Sequence, residues 1–325
     1  MALGVAVVLA SLALFAYFLA TSGVDAASLA AALSAVPASA LLAAVGLSLL
    51  ELSLRVLRYR AILAHFRHPV PLRSAAVAQL VGIFAGNLSP LRVGEPLKAL
   101  VLERRHGTPL AAGVMAAVLE RLLDLAAMSL LLLLAVVTVA PAIPVSAALA
   151  ATLGLAFLAV YVLLLLALAR GFLAALLRRL GRRSALLLRV ASGLETLSGS
   201  GRSIAGASLA WAALSVLILA VDVGIVQVLL YSLGQAPHFL LTLAVIAVGT
   251  LGGIASQAPG GLGSTEAIVV FLFTQVGVSP AAGFAAIVLA RGFGFYAFTA
   301  VGWLLATRQG IALGLHRGGK RGVVK

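Results

Sequence analysis

The stretch GNLSPLRVGEPLK, residues 86–98, decides the fold. It holds two prolines, two glycines and three charged side chains, Arg92, Glu95 and Lys98, between flanks that are almost pure Ala, Leu and Val. Proline at position 90 or 96 interrupts a helix, and the charges do not dissolve in lipid. Irregular backbone at membrane depth leaves N–H and C=O groups that only protein or trapped water can satisfy. The stretch therefore reads as the tip of a broken helix turned toward a protein-lined cavity.

The rest of the chain supplies the membrane. Its 325 residues are 63% hydrophobic and 10% charged, far beyond what a soluble core needs. Runs long enough to cross the roughly 30 Å hydrocarbon layer lie at about 2–20, 38–58, 110–139, 146–169, 204–230 and 281–306. The first 20 residues have the apolar length of a signal peptide but no basic start, so a retained first helix is expected. Two further apolar stretches, 74–102 and 239–277, break near their middles at Pro/Gly tips. Their limbs are short for a crossing, and each reads as a re-entrant hairpin. The fold class expected is an all-α polytopic membrane protein of about six full spans and two opposed hairpins, one domain over 1–325. Its first repeat covers about 38–139 and its second about 204–306.

Charge orders the spans. Of the 23 Lys and Arg, none falls in 1–54, 122–169 or 203–290. The linkers at 21–37, 140–145, 231–238 and 278–280 are thus expected outside. Those at 59–73, 103–109 and 170–203, and the tail from Arg308, are expected inside. Both termini are then cytoplasmic, and the hairpins open from opposite sides of the plasma (inner) membrane, as an inverted repeat requires. The net charge of +14 is explained by this pattern, so no nucleic-acid partner is expected. Residues 170–190 place Arg178, Arg179, Arg182 and Arg183 among leucines, which suits an amphipathic surface helix or a plain orienting loop. The chain has no cysteine, which excludes disulfides and thiol chemistry.

The halves share a pattern. In the first, Ser89-Pro90-Leu91-Arg92-Val93-Gly94-Glu95 precedes Arg121 by 27 residues counted from Gly94. In the second, Pro259-Gly260-Gly261-Leu262-Gly263-Ser264-Thr265-Glu266 precedes Arg291 by 28 counted from Gly263. Opposed repeats with interrupted helices mark binding sites in secondary transporters. Pro96 suits the first position of one returning helix and Ser264 the N-cap of the other. Helix N-termini there would favour an anion.

Ionisable residues gather around these ends. Arg92, Arg121 and Arg291 suit a phosphate, because guanidinium stays charged when buried and binds oxygens bidentately. Glu95 and Glu266 fit either a binding role or complements to their own helix dipoles. Glu120 and Asp124, four apart, share a face and fit either a site or a network neutralising Arg92, Arg121 or Arg291. Glu51 and Arg55 read as a helix-end pair near the inner interface, and Asp222 stays open. Glu95, Glu120, Asp124 and Glu266 are candidate proton carriers.

The order SPLRVGEPLKALVLERRHGTPLAAGVMAAVLERLLD at 89–124, followed by QAPGGLGSTEAIVVFLF at 257–273 and LARG at 289–292, resembles the transmembrane region of lysylphosphatidylglycerol synthases. That region defines a broader flippase-like family with hopanoid-associated and archaeal glycosylation-associated members. The resemblance covers most of the chain and implies the lipid-translocating half without the aminoacyl-transfer domain. The family's motif positions correspond to Arg92, Gly94, Glu95, Glu120, Arg121, Asp124, Gly261, Gly263, Glu266 and Arg291.

Together these residues, with Gly260 and Ser264, form the expected substrate site for an anionic lipid. Flipping of its head group is the expected function, with no cofactor and no catalytic metal. The chain has no Walker motif to couple ATP. A membrane enzyme acting on a lipid phosphate is disfavoured, since His65, His68, His106, His238 and His316 all fall in loops or tails. An ion-coupled carrier of a small soluble anion stays open, as do a homo-oligomer and a membrane partner.

Overall fold

A computed structural model describes residues 25–89, 92, 94–139 and 201–309, with scattered positions between 152 and 192. The spans expected at 2–20 and 146–169, the linker 140–145, the loop 170–203 and the basic tail lie wholly or largely outside the described residues.

Helices make up the described chain. α1 is Ala26–Ala35, α2 Ala38–His65, α3 Leu72–Asn87, α4 Leu97–His106, α5 Leu110–Val139, α6 Gly201–Ser232, α7 Phe239–Ala255, α8 Ser264–Gln275, α9 Pro280–Arg291 and α10 Ala297–Arg308. A 3-10 turn at Pro259–Gly261 precedes α8, and a π turn at Gly292–Tyr296 joins α9 to α10. Local chemistry sets several boundaries. Asp25 caps α1 by accepting from the Ser28 N–H at 2.7 Å, and Ser279 caps α9 ahead of Pro280. Gly107 closes α4 in the left-handed conformation, with φ at 64°.

Among the described residues, three helices are long and apolar enough to cross a membrane: Ala38–His65, Ala207–Ser232 and the continuous Pro280–Arg308. They match three of the expected spans, and α5 covers the expected 110–139. Large apolar side chains face outward. On α2, Leu42, Leu49, Leu50 and Leu57 are each at least 45% exposed and fall on one stripe. A soluble protein seldom carries such a surface, whereas lipid solvates it. With the apolar composition, this makes the chain a multi-pass membrane protein.

Each interrupted stretch is two short helices joined by a turn, α3 with α4 and α7 with α8, and the partners pack on one another. Two helix starts differ by one residue from the sequence expectation. Pro96 is the N-cap of α4 rather than its first residue. Gly263, not Ser264, caps α8, because the chain leaves the 3-10 turn through φ of 79°, which an L side chain resists.

Packing forms two main apolar cores. One is built around Tyr59, Ile62, Leu63, Val81, Leu102 and Met115, and includes Trp211. The other is built around Val226, Leu229, Leu243, Val269, Phe273 and Phe284. Helices α2 and α6 pack on each other, α5 packs on α7 and α10 on α3. A cavity with a charged lining lies among these elements.

Candidate functional site

The cavity has a volume of about 380 Å³. Its cations are Arg55, Arg92, Arg121 and Arg291, and its carboxylates Glu51, Glu95, Asp124 and Asp222. Along α5, Arg121 and Asp124 give way to Leu125 and Met128, and Ile218, Leu219 and Val226 of α6 continue the apolar wall. A polar head group and the root of an apolar chain are both accommodated by such a lining.

The first tip enters through a tight turn. Ser89 Oγ accepts from the Gly94 N–H at 2.8 Å and donates to the Gly86 carbonyl at 3.1 Å. A Cβ on Gly94 would collide with the Ala85 carbonyl, so glycine is required for the close approach. Arg92 sits on this turn with φ at 56°, a left-handed conformation costly for a side-chain-bearing residue. It lines the cavity and has no ion-pair partner among the described residues. Glu95, 3% exposed, lies between Arg121 Nε at 2.5 Å and Lys98 Nζ at 3.4 Å. The Arg121 contact is close in distance but poorly aligned as a hydrogen bond.

Behind the wall is a charge network held by two cations, Arg58 and Lys98, to which sequence reasoning gave no role. Arg58, 1% exposed, reaches Glu120 Oε1 at 3.4 Å, Asp124 Oδ1 at 2.5 Å and Ser215 Oγ at 2.5 Å. Lys98, fully buried, pairs with Glu120 and lies 4.4 Å from the Tyr59 ring centroid. Glu120 therefore neutralises Arg58 and Lys98, not Arg92, Arg121 or Arg291, and does not line the cavity. Asp124 faces Arg58, Arg55 at 3.7 Å and Arg121 at 3.6 Å. The Glu51–Arg55 pair exists, at 2.7 Å, but it lines the cavity, which the helix-end reading did not anticipate. The signal was present in the spacing: Glu51, Arg55 and Arg58 fall four and three apart on one helical face. Lys98 likewise stands three residues after Glu95.

The second tip is organised by Arg291. Its Nη1 lies 2.9 Å from Glu266 Oε1, and its Nη2 donates to the Gly260 carbonyl at 2.7 Å. The Phe295 ring of the π turn stacks 4.4 Å from its guanidinium. Glu266 Oε2 accepts from the Gly263 N–H at 2.9 Å, so the carboxylate that complements the start of α8 belongs to the chain itself. Amides at the start of α4 are also taken: Leu97, Lys98 and Ala99 donate to the Gly94, Glu95 and Pro96 carbonyls. The Gly263 N–H and the first amides of α4 are thus taken within the chain, and the cations that line the cavity are side chains.

The structure thus brings Arg92, Glu95, Arg121, Asp124, Gly260, Gly261 and Arg291 to one cavity. Gly94, Glu120, Gly263, Ser264 and Glu266 stand behind its wall. Ser264 Oγ donates to the Gly261 carbonyl at 3.2 Å, and Gly260 and Gly261 take positive φ of 61° and 65°. Asp222, left open by the sequence, lies on the cavity wall.

A family model described as the lysylphosphatidylglycerol synthase TM region matches residues 1–302. A UPF0104 membrane protein of Methanothermobacter thermautotrophicus is 28% identical over 268 residues, covering 79% of each chain.

Proposed function

The chain belongs to the lysylphosphatidylglycerol synthase transmembrane-region family, and from that membership and the cavity we propose that it carries the head group of an anionic lipid across the plasma membrane. The observation that carries the reading is Arg92, a guanidinium without an ion-pair partner among the described residues, held in a costly backbone conformation at the wall of the charged cavity. A phosphate losing its water there gains Arg92 directly and Arg121 beside it, and the apolar wall lets the acyl chains remain in lipid. The work proposed is transport rather than catalysis.

The two halves act as opposed repeats in this reading. Helices α3 and α4, of 16 and 10 residues, span roughly 24 and 15 Å, and α7 and α8, of 17 and 12, roughly 26 and 18 Å. Each falls short of the roughly 30 Å core, which supports re-entrant hairpins. Reciprocal packing supports the repeat: the last helix of each half lies on the first hairpin limb of the other, α5 on α7 and α10 on α3. With the basic loops inside, both termini are cytoplasmic and the tips meet from opposite faces.

The test is lipid extraction from the purified protein followed by mass spectrometry, then a scrambling assay in liposomes of the enriched lipid. Enrichment and movement of one anionic lipid class, both lost in Arg92→Gln, is the expected result. Uptake of a soluble anion with no lipid enriched would make the protein a small-anion carrier. A bound lipid released chemically altered would make it an enzyme.

A further inference from the structure

Among the ionisable side chains of the cavity, two stand apart. Arg55 holds Glu51 through Nε at 2.8 Å and Nη2 at 2.7 Å, and also faces Asp124. Arg121 holds Glu95, and Arg291 holds Glu266 just behind the wall. That leaves Arg92 from the first tip and Asp222 from α6, neither with an ion pair or side-chain hydrogen bond among the described residues. The four arginines and four carboxylates of the lining balance in formal charge only while Asp222 is ionised.

The helix that carries Asp222, α6, packs against α2, α5, α7 and α9. Helix α2 brings Glu51 and Arg55 to the same lining, and α5 brings Arg121 and Asp124. Helix α9 contributes Arg291, and the first tip Arg92 and Glu95. Helix α7 brings no ionisable group to the lining; Thr250 is its polar side chain there, beside Ile246 and Ile254. Asp222 feels Glu51 as a like charge, and Arg55, Arg92 and Arg291 as opposite ones. Protonating Glu51, Glu95, Asp124 or Glu266 breaks an ion pair that a low-dielectric interior makes costly to lose. Protonating Asp222 breaks none.

We infer that Asp222 is the proton-binding group of the transport cycle: protonated, it leaves the lining one positive charge in excess, matched to one monoanionic head group, and ionised, it restores neutrality and expels that anion. The proton comes from water on the side to which the cavity is open, bonds to a carboxylate oxygen of Asp222, and returns to water on the other side with the lipid. Head group and proton cross together with no net charge moved, which supplies a driving force from a pH gradient. This assigns the coupling role to a residue other than the carboxylates the sequence offered for it, Glu95, Glu120, Asp124 and Glu266, all of which are ion-paired. The inference rests on the anionic-lipid reading.

The probe is a short-chain phosphatidylglycerol, whose phosphodiester stays a monoanion across the range tested, so that any pH effect belongs to the protein. Its equilibrium binding to the full chain in neutral detergent is measured at pH 5.5 and 8.5, together with proton uptake on lipid addition in weak buffer. One unit charge acting across about 10 Å at an effective dielectric near 20 corresponds to roughly a tenfold change in affinity. The wild type is expected to bind about tenfold more tightly at pH 5.5 and to take up protons on binding. Asp222→Asn, checked for monodispersity, is expected to bind tightly at both values with no uptake. Binding by the wild type without proton uptake or pH dependence would overturn the inference, as would an unchanged pH dependence in the variant. A preference for phosphatidylethanolamine over phosphatidylglycerol that Asp222→Asn abolishes would also overturn it, making Asp222 a ligand for the amine. Absence of phosphatidylglycerol binding at either pH, with a soluble phosphate bound instead, would refute the lipid reading itself.

Discussion

Replacing Lys98 by Met removes the cation on which the first hairpin is fastened to α5. The ammonium is fully buried, pairs with Glu120, lies 3.4 Å from Glu95 and 3.3 Å from Gln79 Oε1, and rests over the Tyr59 ring. Methionine preserves the stem's volume, so the loss is electrostatic. Removing one partner of a buried pair costs about 3 to 5 kcal/mol, because the other charge is left without compensation. Here Glu120 keeps Arg58 and Glu95 keeps Arg121, which places the expectation at the lower end, about 3 kcal/mol. The double variant Lys98→Met with Glu120→Gln removes both charges and should recover more than half of that loss. Unfolding by SDS in mixed micelles, followed by fluorescence, reports it directly. Trp211 is buried in the core that contains Tyr59 and Leu102, so its emission follows this half of the molecule. Lys98→Met within about 0.5 kcal/mol of wild type, or a double variant no better than the single, would refute the reasoning.

The two cavity arginines should separate transport from folding. Arg121 is one-third exposed and leaves Glu95 with Lys98, so Arg121→Gln should cost no more than about 1 kcal/mol in stability while reducing lipid scrambling sharply. Arg291 is 10% exposed and holds both Glu266 and the Gly260 carbonyl, so Arg291→Gln should lower membrane abundance as well as activity. Equal abundance of the two variants would contradict this division. For topology, the chain has no native cysteine, so single cysteines label unambiguously. Pro237→Cys should react with an impermeant maleimide from outside and Ser184→Cys only from inside. Labelling with the sides exchanged would remove the basis for opposed repeats.

Much of the architecture was legible because the bilayer is a demanding solvent. Apolar run length, the confinement of Lys and Arg to some linkers, and a Pro/Gly tip with charges that lipid cannot hold are properties of consecutive residues. They place α2, α5, α6 and the α9–α10 span, and locate both breaks to within a residue or two. The motif spacings were sufficient to indicate the family, since Arg92, Glu120 and Arg291 stand at fixed intervals whatever they touch. Pairing was not legible, because which charge meets which depends on helices brought together from distant positions. Glu120 turned to Arg58 and Lys98, 62 residues before it and 22 residues before it, rather than to the arginines of the tips. Glu266 closed its own helix start while pairing with Arg291. Only tertiary packing, in which α6 lies between α2, α5 and α9, left Arg92 and Asp222 facing the cavity without ion-pair partners among the described residues. Periodicity along one helix predicts neighbours three and four residues away; the electrostatics of a buried cavity is set by neighbours across it.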